Sequence, residues 1–172
     1  MTVARLLAAL PGLEDSRMQR PNAIDWGRIE RILGIEFPVD YKEIAEWYPP
    51  FEICEFISIG VPRAGREESF LDGVASMLED LQDSFDAGFT SYHPSREGNG
   101  LIPWGASSSG DSYFWKMEEG CAVSVVTASG SDFFWEYEGT VTDFLADWLV
   151  GALTPLDQPT IHQLGGARIS LF

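Results

Sequence analysis

The chain has 172 residues, 45% hydrophobic and 13% aromatic. That suits one domain with a buried core and is too apolar for a disordered chain. Its formal net charge of −16 repels nucleic-acid phosphates and anionic lipid, which argues against DNA, RNA or a membrane surface as partner.

The charge is uneven. Residues 1–31 carry a net +1 and residues 32–172 a net −17. Such a surface attracts basic proteins and speeds their association, although acidic surfaces also serve solubility. No apolar run approaches the ~20 residues of a membrane span. The opening "MTVARLLAALPG" is short and weakly apolar, and it reads as a helix and not as a leader. Cys54 and Cys121 sit in apolar runs without metal spacing, so both are expected as buried free thiols in a cytoplasmic protein.

In chain order, residues 2–10 read as a helix closed by Pro11-Gly12, and 14–22 as a polar linker. Asp25 caps a helix in which Trp26, Ile29, Ile32 and Leu33 form the apolar side and Gly34 is the stop. An extended Ile35–Pro38 bridge follows. Asp40 and Glu43 have capping-box spacing for a second helix, with Ile44, Trp47 and Tyr48 inward and Pro49-Pro50 at its end. "FEICEFISIG" reads as one strand with Phe51, Ile53, Ile57 and Ile59 on one face. Residues 69–86 read as a helix with Leu71, Val74, Leu78, Leu81 and Phe85 inward, and 67–86 hold seven acids and no base.

A loop over 88–100 and a short extended "LIPWG" lead to three strands at 112–118, 121–128 and 132–138. The turn dipeptides Glu119-Gly120 and Ser129-Gly130 make them an antiparallel meander. Thr140, with Asp143 three residues on, starts a last helix whose Val141, Phe144, Leu145, Trp148 and Leu149 face inward. Trp26 and Trp148 are both expected in the core. The fold class is α+β, an antiparallel meander covered by helices in a single domain.

Catalytic patterns are missing at the points where chemistry needs them. Gly105-Ala106-Ser107-Ser108-Ser109 lacks the second glycine of a nucleophile elbow. The two histidines, His93 and His162, have no sequence relation to a serine. Ser-Gly-Asp reads instead as a turn in which Asp111 bonds neighbouring backbone N–H groups. "GNGLIP" ends in Pro103 where a dinucleotide loop needs glycine, and no zinc spacing occurs. No catalytic, cofactor-binding or metal-ligating residue is assigned.

Four stretches together resemble the SUKH superfamily, the Smi/Knr-like proteins. They are "WGRIERILGIEFPVDYKEIAEWY", "LIPWGASSSGDSYFWKM", "DFFWEYEG" and "TVTDFLADWLVG". The resemblance divides the chain into an N-terminal helix and linker (1–23), a SUKH-like domain (24–151) and a mixed tail (152–172). It implies an α+β fold without a catalytic constellation. It also implies a protein-binding role: many bacterial members neutralise toxins, often nucleases or deaminases, while fungal members regulate cell-wall synthesis through protein partners. The expectation is an immunity protein, with a regulatory or scaffold protein as the alternative. Two acidic groups are candidate contacts for a basic toxin domain. Glu118, Glu119, Glu136 and Glu138 in the sheet region rank first, because Glu136 lies between aromatics. Glu79, Asp80, Asp83 and Asp86 on the helix rank second.

Overall fold

A computed structural model describes residues 3–130, 133–153 and 158–172. Residues 2, 132 and 154–157, which belong to the expected first helix, third meander strand and tail, lie outside the described residues.

The elements are α1 (Val3–Ala9), α2 (Pro11–Glu14), α3 (Trp26–Leu33), α4 (Val39–Trp47), β1 (Phe51–Ile53), β2 (Ile57–Ile59), α5 (Glu67–Asp86), β3 (Gly100–Ser107), β4 (Ser112–Glu118), β5 (Cys121–Ala128), β6 (Phe134–Tyr137), α6 (Val141–Leu149) and β7 (Ile169–Leu171). The strands form one antiparallel sheet in the order β6-β5-β4-β3-β2-β1-β7. The fold is α+β, as expected. Among the described residues no helix is long and apolar enough to cross a membrane.

Local signals explain α3 and α6. The Asp25 carboxylate accepts from the Arg28 N–H at 3.0 Å, and Gly34 ends α3 in the left-handed region at φ 68°. Thr140 Oγ1 accepts from the Asp143 N–H at 3.2 Å and opens α6.

The capping box expected for α4 does not form. Pro38 occupies the N-cap position, so Asp40 lies inside the helix. Its buried carboxylate accepts from the Thr142 N–H at 3.2 Å and from Thr142 Oγ1 at 2.9 Å. Asp40 therefore caps α6 from another helix, and the local pattern was overridden by a long-range one. Neighbouring Tyr41 is fully buried and donates its hydroxyl to the Gly60 carbonyl at 2.5 Å. Burial pushes that hydroxyl's pKa well up.

Strand alternation gives the sheet two faces. The first carries Ile57, Ile102, Tyr113, Trp115 and Val125, and it packs under α1, α3, α4 and α6 in one large cluster. Its centre is aromatic: Tyr41 meets Trp115 edge-on at 4.7 Å between ring centroids, and Phe37 stacks on Tyr41 at 5.3 Å. Leu6, Leu10 and Leu13 from the first fourteen residues belong to the same cluster. Arg5 reaches across from α1 to pair with Asp143 and Asp147 on α6. Trp148 is fully buried, as expected, but Trp26 is only partly so and donates its Nε1–H to Glu46 at 2.7 Å. Ile32 is exposed and does not join the apolar side of α3.

The structure departs from other expectations as well. "FEICEFISIG" is a hairpin, β1 and β2, and not one strand. Cys54 and Glu55 turn the chain at φ 57° and 53°, which no glycine announces. "LIPWG" belongs to the eight-residue β3, which runs through Pro103 because the pairing shifts at a bulge there. The mixed tail supplies β7, which pairs with β1 at the sheet edge. Of the two thiols, Cys54 is buried as expected, whereas Cys121 is exposed.

Asp40→Ala should lower stability by about 2–4 kcal/mol, because it strands two buried donors of Thr142. Asp40→Asn keeps an acceptor and should recover a good part of that loss. Urea melts of the two variants check this. Equal loss in both would mean that the negative charge at the α6 N-terminus matters, and not the hydrogen bonds.

Candidate functional site

The second face of the sheet is where the candidate residues gather. There Leu101, Phe114 and Val126 pack with Leu81 of α5 in a smaller cluster. Toward β6 the same face turns polar. Glu136 accepts from Ser124 Oγ at 2.6 Å, from Lys116 Nζ at 3.1 Å and from the Tyr92 hydroxyl at 3.1 Å. These partners hold its carboxyl below the ordinary carboxylate value, the Ser124 bond first, against the opposing effect of burial. Lys116 is raised in turn, chiefly by its bond to Glu136.

The sheet-region candidates are therefore split. Glu136 is engaged within the chain. Glu118 lies 3.8 Å from Lys116, and Glu119 occupies the left-handed turn position between β4 and β5 at φ 51°. Glu138 follows β6 and is exposed.

The helix candidates stand differently. Glu79, Asp80 and Asp83 are exposed, and their carboxylates have no hydrogen-bond or ion-pair partner among the described residues. Among the described residues the Asp86 carboxylate accepts only from Gln82, one turn back, at 2.7 Å. A 3.6-residue period puts Asp72, Glu79, Asp83 and Asp86 in one line, opposite Leu71, Leu78, Leu81 and Phe85. Asp80 leans off that line toward a groove of about 190 Å³ that Phe114 and Phe134 also line. Exposed Phe89 and Phe133 lie near in sequence to the end of α5 and to that groove, respectively.

This placement costs the helix stability. A helix C-terminus carries partial negative charge and prefers cations. The last turn of α5 has no basic residue, and its C-terminal half holds four acids. Glu79–Asp83 is also a like-charge pair at i, i+4. The favourable arrangement occurs at the other end, where Glu67 and Glu68 lie in the first turn. The Glu67 carboxyl is lowered, first by its own backbone N–H and further by those of Asp25 and Gly65.

The serine turn holds no catalytic pairing. Ser107 Oγ donates to Asp111 Oδ2 at 2.5 Å and accepts from the N–H groups of Ser109 and Asp111 at 3.2 and 3.0 Å. So Ser107, and not Asp111, takes the turn amides. His93 sits against Pro94 and the Phe85 ring, away from this turn's bonds. Among the described residues no group of three His, Cys, Asp or Glu is placed to hold a metal.

A family model described as SMI1-KNR4 cell-wall, of the SUKH group, matches residues 25–149. The chain belongs to this family. No curated protein and no solved structure gives a match.

The network of Glu136 was beyond sequence reasoning, because Lys116, Ser124 and Glu136 meet only through the register of three strands. It makes a pH-dependent contribution. A lowered folded pKa stabilises in full above the ordinary value of 4.5, and the gain is lost as pH falls through the lowered value. The gap in urea midpoint between wild type and Glu136→Gln should thus be open at neutral pH and close in acid. A gap that stays constant across that range would show that the charge of Glu136 contributes nothing.

Proposed function

We propose that this SUKH-family chain is a non-enzymatic immunity protein that binds a toxin domain stoichiometrically, with the α5 ridge of Glu79 and Asp83, and Asp80 beside it, as its main contact. One observation carries the reading. Glu79 and Asp83 repel each other at i, i+4, Asp83 lies in the last turn against the helix dipole, and none of the three carboxylates has a partner among the described residues, so the fold does not account for them. Solubility alone does not require a like-charge pair that runs into the last turn of α5.

The chemistry of the partner follows from the ridge. A nuclease or deaminase domain that handles nucleic acid needs a basic groove for phosphates. A line of helix carboxylates can occupy such a groove in place of the phosphates. Exposed Phe133 and Phe89 offer apolar anchors at its margin. Glu136 is held by three internal partners, so the ridge is a better contact than the sheet region that the sequence ranked first.

The description of the matching family favours a second reading, a regulatory or scaffold protein of the cell-wall type. Such a protein could use the same ridge on an endogenous basic partner. Co-expression with a toxin domain encoded beside its gene separates the two, since only the immunity protein restores growth.

Asp83→Lys should move two quantities in opposite directions. It removes a like-charge pair and puts a cation near the helix end, so the melt should show a gain of about 0.5–1 kcal/mol. Binding to the toxin domain should weaken, mainly through an on-rate that falls steeply with salt in the wild type. A stability gain with unchanged toxin affinity would assign the ridge to no contact at all.

A further inference from the structure

A second feature of α5 faces the opposite way. Between its first half and strands β2 and β3 lies a cavity of about 440 Å³. Its floor is the second face of the sheet, where Ser58 pairs with Ala106 and Pro103 with Phe114, and Gly60 follows β2. The small side chains of Ser58, Pro103 and Ala106 leave the space beneath the helix unfilled. Phe70, Val74 and Met77 of α5 form an apolar roof. Gly73 also lines the cavity, and nothing lies within 4 Å of where its Cβ would be. Packing within the chain therefore does not call for glycine there.

The charge of the lining is opposite to that of the molecule. The chain holds 27 acids and 11 bases, yet the cavity is lined by Arg63 and Arg66 and by no Asp or Glu. Both arginines are exposed, and neither side chain has an ion-pair or hydrogen-bond partner among the described residues. The Arg66 N–H donates to the Arg63 carbonyl at 2.9 Å, a turn that holds the two residues together at the entry to α5. The five guanidinium donors of each are free for a carboxylate, which they bind as a fork.

We propose that this cavity is a binding site for a small amphipathic carboxylate, with its apolar body under α5 and its anion on Arg63 and Arg66. The volume lies within the range of about 300–1,000 Å³ that small-molecule sites occupy, and the apolar wall with a few polar groups is their usual lining. The surrounding acidic surface repels a free anion, so affinity depends on the apolar body entering the cavity. The site does not depend on the toxin-binding reading, and its test uses no toxin.

The probe is decanoate, titrated into the full chain by calorimetry and by amide NMR. Acetate, which has the anion without the body, and decanol, which has the body without the anion, are the controls. Saturable decanoate binding is expected, with amide shifts at Gly60, Phe70, Val74 and Ala106 and at least tenfold weaker binding of both controls. Arg63→Glu with Arg66→Glu should weaken decanoate at least tenfold. Gly73→Leu, at a position with open space for its side chain, should fill the cavity and abolish binding while melting no lower than wild type. Absence of saturable binding overturns the proposal. So does decanol binding as tightly as decanoate, and so does binding that both variants leave intact.

Discussion

A carboxylate removed from water must meet donors that replace its hydration, and Asp40 meets them 102 residues away in Thr142. That contact ties α4 to the N-terminus of α6, where the helix leaves backbone N–H groups free. The next residue, Tyr41, ties α4 to the end of β2 through Gly60 and lays its ring against Trp115 at the centre of the sheet. Two adjacent side chains thus fix a helix from the front of the chain to one near its end and to the strands between. The sealed first face follows from this arrangement: α6 has nine residues and buries seven of them.

The second face is built on other terms. α5 has twenty residues and buries four, Glu67, Leu71, Val74 and Leu81. Its contact with the sheet is narrow, since small residues on β2 and β3 leave a cavity beneath its first half. Its outward side carries acids that oppose its own dipole. The first-face helices hold the fold. The features of α5 that the fold does not explain are the free carboxylates above and the cationic, apolar hollow below, the two surfaces proposed to meet something outside the chain.

Much of this could be read from the sequence wherever the signal was local. The Asp25 cap, the Gly34 stop, the Thr140–Asp143 opening and the meander turns each rest on a few neighbouring residues, and the structure has them all. Signals that needed the third dimension were lost. Asp40 has the spacing of a local cap, but its burial beside Thr142 gives it a distant partner. The β1–β2 turn uses Cys54 and Glu55 in left-handed conformations, so it lacks the usual glycine or asparagine. "LIPWG" read as a short extended piece, and the bulge that lets β3 run on past Pro103 comes from its pairing with β4. Glu136 looked like a free acid because its lysine, serine and tyrosine partners come from other strands and a loop. Arg63 and Arg66 precede α5 without any sequence motif, and only the small side chains opposite α5 give them a cavity to guard.

On this account α6 belongs to the cooperative core while α5 is a more loosely held layer. Native-state hydrogen exchange of the free chain tests it most directly. Amides of α6 and of the β3–β4 pair should exchange only through global unfolding, with a steep denaturant dependence. Amides of α5 should exchange through a smaller opening, at lower free energy and with a shallower dependence. Exchange of α5 and α6 at the same free energy would make the chain one uniform unit and contradict the division between its two faces.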